Sequence, residues 1–151
     1  MSTFYSDFSC PLVRSCAPYD EVPVTAYRWH PSFDLTVLQT TVRSRAVLRK
    51  SAAVVPDGDP VTVMGFPNWH SFGDQPLKAN THVVQQRTIG GSSLASVGYP
   101  LLAGTSGGPV LNSEGRVTGV VVNSGTSAVF PNSFLAIGHL DAVVAAPLKA
   151  V

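Results

Sequence analysis

Proline and glycine interrupt this chain too often for long helices to form. Pro18, Pro23, Pro31, Pro56 to Pro60, Pro67, Gly73 to Pro76, Gly90-Gly91, Pro100, Gly104 to Pro109, Gly115, Gly125 and Pro131 recur at short intervals. The runs between them are short and rich in Val, Thr and aromatic residues, the pattern of a sandwich or barrel of many strands. Strands are expected over Val22 to Trp29, Leu35 to Val42, Val61 to Gly65 and His82 to Ile89. Val110-Leu111, the turn Asn112-Ser113-Glu114-Gly115 and Arg116 to Val122 read as a hairpin. Ser133 to Ile137 is a last strand, and Leu140 to Ala146 has helical composition with Pro147 to end it. Segment 66–80 reads as a long loop, of the kind that is often functional.

A length of 151 residues suits one domain, or one unit of two barrels, with a sizeable core. With 44% hydrophobic and 13% charged residues the chain is globular and not disordered. Its net charge is +1, and basic residues cluster only at Arg43, Arg45, Arg49 and Lys50, which disfavours nucleic acid as a partner. No apolar run approaches the ~20 residues of a membrane span. The N-terminus, with Asp7 and no apolar core segment, does not read as a signal peptide. Localisation stays open, secreted or periplasmic if an export signal precedes this segment. Cys10 and Cys16 would close a small disulfide after export or stay as free thiols in the cytosol. They read as structural, since two ligands do not make a four-coordinate zinc site, and no metal or other cofactor is implied.

One stretch carries chemistry: Leu102-Ala103-Gly104-Thr105-Ser106-Gly107-Gly108-Pro109-Val110. Its glycines permit positive φ and close backbone approach. Such a turn presents Ser106 Oγ outward while the flanking N–H groups point at one spot, as an acyl-transfer nucleophile needs for its oxyanion. A Gly-rich hairpin with an incidental serine is the bland alternative. The run Gly-Thr-Ser-Gly-Gly-Pro-Val resembles the nucleophile loop of the chymotrypsin-like (trypsin-fold) serine proteases, including their HtrA-type bacterial branch. His30-Pro31-Ser32-Phe33-Asp34-Leu35-Thr36-Val37-Leu38 resembles the segment carrying the triad aspartate, and Asp34 precedes Ser106 as in the chymotrypsin order.

Gly58 to Pro67 resembles the segment that opens the second barrel of HtrA-type enzymes. Gly115 to Val122 resembles the strand after the nucleophile hairpin, and Phe134 to Ile137 with His139 to Val144 the closing strand and helix.

The resemblance implies an all-β fold of two antiparallel barrels with a short C-terminal helix. Residues 1–55 would form a partial N-terminal barrel carrying the acid, and 56–151 the C-terminal barrel carrying the nucleophile. It also implies peptide-bond hydrolysis through an acyl-enzyme on Ser106, with a polypeptide as substrate and no cofactor. Gly104, Thr105 and Ser106 would form the oxyanion hole, through the N–H groups of Gly104 and Ser106. Pro100, Leu101 and Leu102 would form one wall of an uncharged substrate pocket, and Val122, Asn123, Ser124 and Gly125 the other. Thr105 replaces the aspartate that pairs with a cut N-terminus in trypsin-type enzymes, so activation by that ion pair is not expected.

The base is the departure. The family order is His, Asp, Ser, and His30 alone precedes Asp34. Four residues of extended chain span ~13 Å, against the ~2.8 Å an acid–base pair requires. His70 and His82 fall between acid and nucleophile, and His139 near the final helix. Three readings follow: a segment lacking the first strands, a non-cleaving relative that binds peptides or proteins, or a substitute histidine. Unpaired edges of an incomplete barrel would favour association with partner chains.

Overall fold

The computed structural model describes residues 12–14, 21–41, 47–67, 76–123 and 129–151. Cys10, Cys16, His70, Ser124 and Gly125 lie outside the described residues. Six strands close a barrel: β4 (Pro60–Gly65), β5 (Leu77–Ile89), β6 (Ser92–Val97), β7 (Pro109–Leu111), β8 (Val117–Asn123) and β9 (Ser133–Ala136). Their order around it is β4-β5-β6-β9-β8-β7, and β7 returns to β4 through Val110 opposite Val63. All these pairings are antiparallel.

A smaller sheet precedes the barrel in the chain. β2 (Glu21–Trp29) pairs with β1 (Leu12–Arg14) and β3 (Thr36–Thr40), and with β10 (Lys149–Ala150) from the far end of the chain. Among the described residues β3 pairs with β2 alone. A 3-10 turn (Ile137–His139) leads into α1 (Leu140–Ala145), the one α-helix among the described residues. Arg28 of β2 donates a hydrogen bond to the Ala146 carbonyl, which would otherwise be an orphan acceptor at the helix end. Among the described residues no helix is long and apolar enough to cross a membrane.

Alternation decides what fills the barrel. In β4 Val61, Val63 and Gly65 are buried while Thr62 and Met64 are not, the period of two of a strand with one face inward. Val83, Ala95, Val97, Val110, Val121 and Phe134 join Val61 and Val63 in one core, with Leu101 and Val55 closing it. β-Branched residues dominate because they suit a pleated, buried surface. Gly119 faces the Phe134 ring, where a Cβ would come within 2.1 Å of a ring carbon.

The expected β-rich architecture with a short C-terminal helix is present, and so is the hairpin at 112–116. Asn112 Oδ1 accepts the N–H groups of Glu114 and Arg116, and Gly115 has φ +72°. Four elements differ from the sequence reading, the first being β1 (Leu12–Arg14), which that reading does not include. β5 begins at Leu77 rather than His82, because Leu77 to Thr81 run antiparallel to Val61 to Gly65. The expected loop 66–80 therefore ends at Pro76, and residues 68–75 lie outside the described ones. β6, with the sequence Ser-Ser-Leu-Ala-Ser-Val, carries little strand signal and forms by pairing with β5 on one side and β9 on the other. β10 is two residues long and exists through β2.

Candidate active site

Ser106 sits in the turn that feeds β7. The turn is built from backbone hydrogen bonds: Thr105 N–H to the Leu102 carbonyl (3.1 Å), Gly108 N–H to the Thr105 carbonyl (2.9 Å) and Gly107 N–H to the Val121 carbonyl (2.8 Å). The Val121 N–H returns to the Gly108 carbonyl at 2.9 Å, so the turn is stitched to β8. Gly104 and Gly107 take φ of +91° and +84°, which side chains rarely allow.

The turn also rests on the end of β4. A Cβ at Gly108 would meet the Met64 carbonyl oxygen at 1.9 Å, and one at Gly65 would meet the Thr105 Cα at 2.9 Å. Thr105 is buried beneath the turn, its Oγ1 without a hydrogen-bond partner among the described residues. Its N–H is committed to Leu102, whereas the Gly104 N–H donates to no described backbone carbonyl and Gly104 is exposed. Ser106 is half-buried.

Of the residues expected to wall a pocket, Pro100 and Leu102 are exposed, Leu101 packs in the barrel core, Val122 is buried and Asn123 is half-buried. The segment Phe130 to Ser133 ties these two stretches together. Asn132 Oδ1 accepts the Leu101 N–H (2.9 Å), and the Asn132 carbonyl accepts the Val97 N–H (2.9 Å). Asn123 Nδ2 donates to Ser133 Oγ (3.0 Å), which donates to the Phe130 carbonyl (2.9 Å). Asn132 is the non-glycine residue with positive φ (+50°) among the described ones. The sequence reading missed its role, although Pro131-Asn132 is a turn signal and asparagine tolerates the left-handed region.

Asp34 lies in the turn His30 to Leu35 between β2 and β3, and is half-buried. The turn closes through Phe33 N–H to the His30 carbonyl (3.2 Å) and Leu35 N–H to the Phe33 carbonyl (2.8 Å). It is docked on the barrel: Ser92 Oγ donates to the Ser32 carbonyl (3.1 Å), and the Phe33 ring stacks on His139 with centroids 4.2 Å apart.

Each described histidine has a structural contact. His30 Nδ1 accepts the Ser32 N–H (3.2 Å) and its ring stacks on Phe33 (4.9 Å). The His82 ring covers Gly98, where a Cβ would lie 2.8 Å from a ring carbon. His139 Nε2 accepts the Ser93 N–H (2.8 Å), and burial lowers its pKa from 6.5.

The serine turn thus sits at the mouth of β7 in a closed antiparallel six-stranded barrel. The model of the trypsin-like peptidase domain matches residues 14–120, and the chain belongs to that family. No curated protein sequence matches it.

Solved structures share the fold. The inactive form of the Rv3671c protease, of M. tuberculosis, superposes with a TM-score of 0.68 at 21% identity, covering 89% of this chain and 71% of that one. The MamO protease domain of Magnetospirillum magneticum gives 0.64 at 16% identity, with 87% and 72% covered. A serine endoprotease from Yersinia pestis gives 0.66 at 17% identity, with 87% and 45% covered. In another form of the M. tuberculosis protein the chain spans 65% of the matched length.

Proposed function

We propose that the chain is a serine endopeptidase domain with Ser106 as nucleophile and Asp34 as the acid of the triad. Ser106 Oγ attacks the scissile carbonyl carbon, and a base takes its proton and later gives it to the leaving amine. The oxyanion is held by the N–H groups of Gly104 and Ser106, a type of contact whose single donors are each worth ~10²–10³ in rate. Water then hydrolyses the acyl-enzyme. Asp34 orients an imidazole supplied from outside the described residues, since His30 and His139 each accept a backbone N–H and the His82 ring lies over Gly98. Residues 1–55 act as the unit carrying the acid and 56–151 as the barrel carrying the nucleophile. The exposed Pro100 and Leu102 with Val122 to Gly125 flank an uncharged pocket for the substrate side chain.

The observation that carries this reading is the nucleophile turn, closed by its own backbone bonds and seated on Gly65 and β8. Its test is labelling by a fluorophosphonate, which needs an activated serine. Wild-type chain should label, and Ser106→Ala should not. A second reading draws on the engagement of all three described histidines: a protease-like domain that binds extended peptides without cutting them. Absent labelling together with saturable binding of extended peptides would favour it.

A further inference from the structure

The Asp34 turn is held to the barrel by the Ser92 Oγ bond to the Ser32 carbonyl and by the stack of Phe33 on His139. Phe33 stacks on His30 and on His139 at interplanar angles of 27° and 29°. The two centroid distances are 4.9 Å to His30 and 4.2 Å to His139, so the Phe33 ring carries a stacked contact to each. Both histidines accept a backbone N–H, His30 Nδ1 from Ser32 and His139 Nε2 from Ser93. An imidazole accepts only through a deprotonated nitrogen. The bond from Ser93 therefore fixes His139 as the neutral tautomer with its proton on Nδ1.

We propose that His139 is a positioning residue for Asp34: as a neutral acceptor it anchors Phe33, and its protonation frees the His30 to Leu35 turn from the barrel. Protonation places an N–H of His139 against the N–H of Ser93, and the ring must leave that position. Phe33 then loses the support of one face, and the adjoining Asp34 loses its fixed place.

The charged groups around the stack are accounted for. Asp34 lies on the turn itself and His30 beyond Phe33. Asp141, two residues after His139, is paired with Lys50 of the segment leading to the barrel. Arg87 of β5 lines the same cavity of about 490 Å³ as His139 and reaches over the Phe130 ring. Arg28 of β2 is bonded to the Ala146 carbonyl. Burial lowers the pKa of His139 from its ordinary value of 6.5 and favours the neutral ring.

The clamp is read without activity, so it stands or falls separately from the peptidase reading on which only its catalytic consequence rests. Nitrogen-15 NMR of the full chain at pH 7.5 should show His139 protonated at Nδ1 and bare at Nε2. On acidification through the His139 titration, hydrogen-exchange protection of the Ser93 and Leu35 amides should fall at least tenfold together. His139→Gln places an amide oxygen near the Nε2 position and does not titrate but lacks the ring, so Ser93 should stay protected across the same range while Leu35 is unprotected throughout. His139→Phe keeps the stack and loses the acceptor, so Ser93 should be unprotected throughout while Leu35 protection no longer follows pH. A His139 protonated at Nε2 at pH 7.5, or a Leu35 amide indifferent to the titration, overturns the proposal. With a labelling chain, His139→Gln should slow the phosphonate rate at every pH, while the acid limb set by protonation of the base imidazole remains. A chain that never labels while the NMR result holds counts against the peptidase reading alone.

Discussion

Gly65 shows how a single missing side chain positions the serine turn. Its Cα hydrogen faces the Thr105 backbone so closely that a methyl there would displace the turn rather than a flexible side chain. Gly65→Ala should therefore keep the fold, at a cost of about 1–3 kcal/mol for overpacking, and slow phosphonate labelling at Ser106 by tenfold or more. Urea denaturation and labelling rates measured on one preparation separate the two effects. Asn132 makes the complementary point with a side chain that is present. Asn132→Gly keeps the left-handed backbone and loses the acceptor for the Leu101 N–H, costing about 1–3 kcal/mol for the unsatisfied donor. Asn132→Ala should cost about 1–2 kcal/mol more, because alanine also pays for positive φ. An alanine variant as stable as the glycine one would refute that account. Ser106, Asp34 and the Gly65-Phe66-Pro67 run were visible in the sequence because their residue types sit in an ordered pattern. Asn132 was not, since one asparagine in a loop acquires its role from the two amides that fold against it.

The strands divide by how much of their stability is local. β4 and β8 carry their own alternation or β-branched runs and were legible. β6 has three serines in six residues and is a strand because β5 and β9 present edges to both its sides. β9 is the opposite case: Phe134 and Leu135 are almost fully buried, and the whole element is four residues long. Leu135→Ala should cost about 2–5 kcal/mol through lost transfer energy and an incompletely collapsed cavity. Since β9 bridges β6 and β8, the loss should appear as a shift of the denaturation midpoint with the slope unchanged. A changed slope would mean that β9 detaches before the barrel unfolds.

Across the molecule, the ends of the chain meet on one strand. β10 and the carbonyl at the end of α1 both attach to β2, so the first sheet is held by residues more than a hundred positions away. The turn between β2 and β3 is fastened to the barrel through His139. Its folded pKa lies below the unfolded value near 6.5, so the unfolded chain takes up the proton first. Stability is then fully present above pH 6.5 and declines as pH falls from there through the folded pKa, where the loss levels off. Denaturant midpoints measured from pH 8 to pH 4 should follow that course, and His139→Gln should remove this component of it. A wild-type midpoint that rises on acidification in this window would contradict the sign.

The sequence by itself determined the class of fold, the serine turn and the acid-bearing turn, because each is written in neighbouring residues: glycine for positive φ, proline for a break, alternation for a buried face. Tertiary structure alone decided that serine-rich β6 is a strand, that β10 pairs with β2, that Asn132 holds Leu101, and that His139 carries a hydrogen bond and a stack. Those outcomes depend on which edges, amides and rings arrive from distant parts of the chain, and local composition contains no record of that arrival.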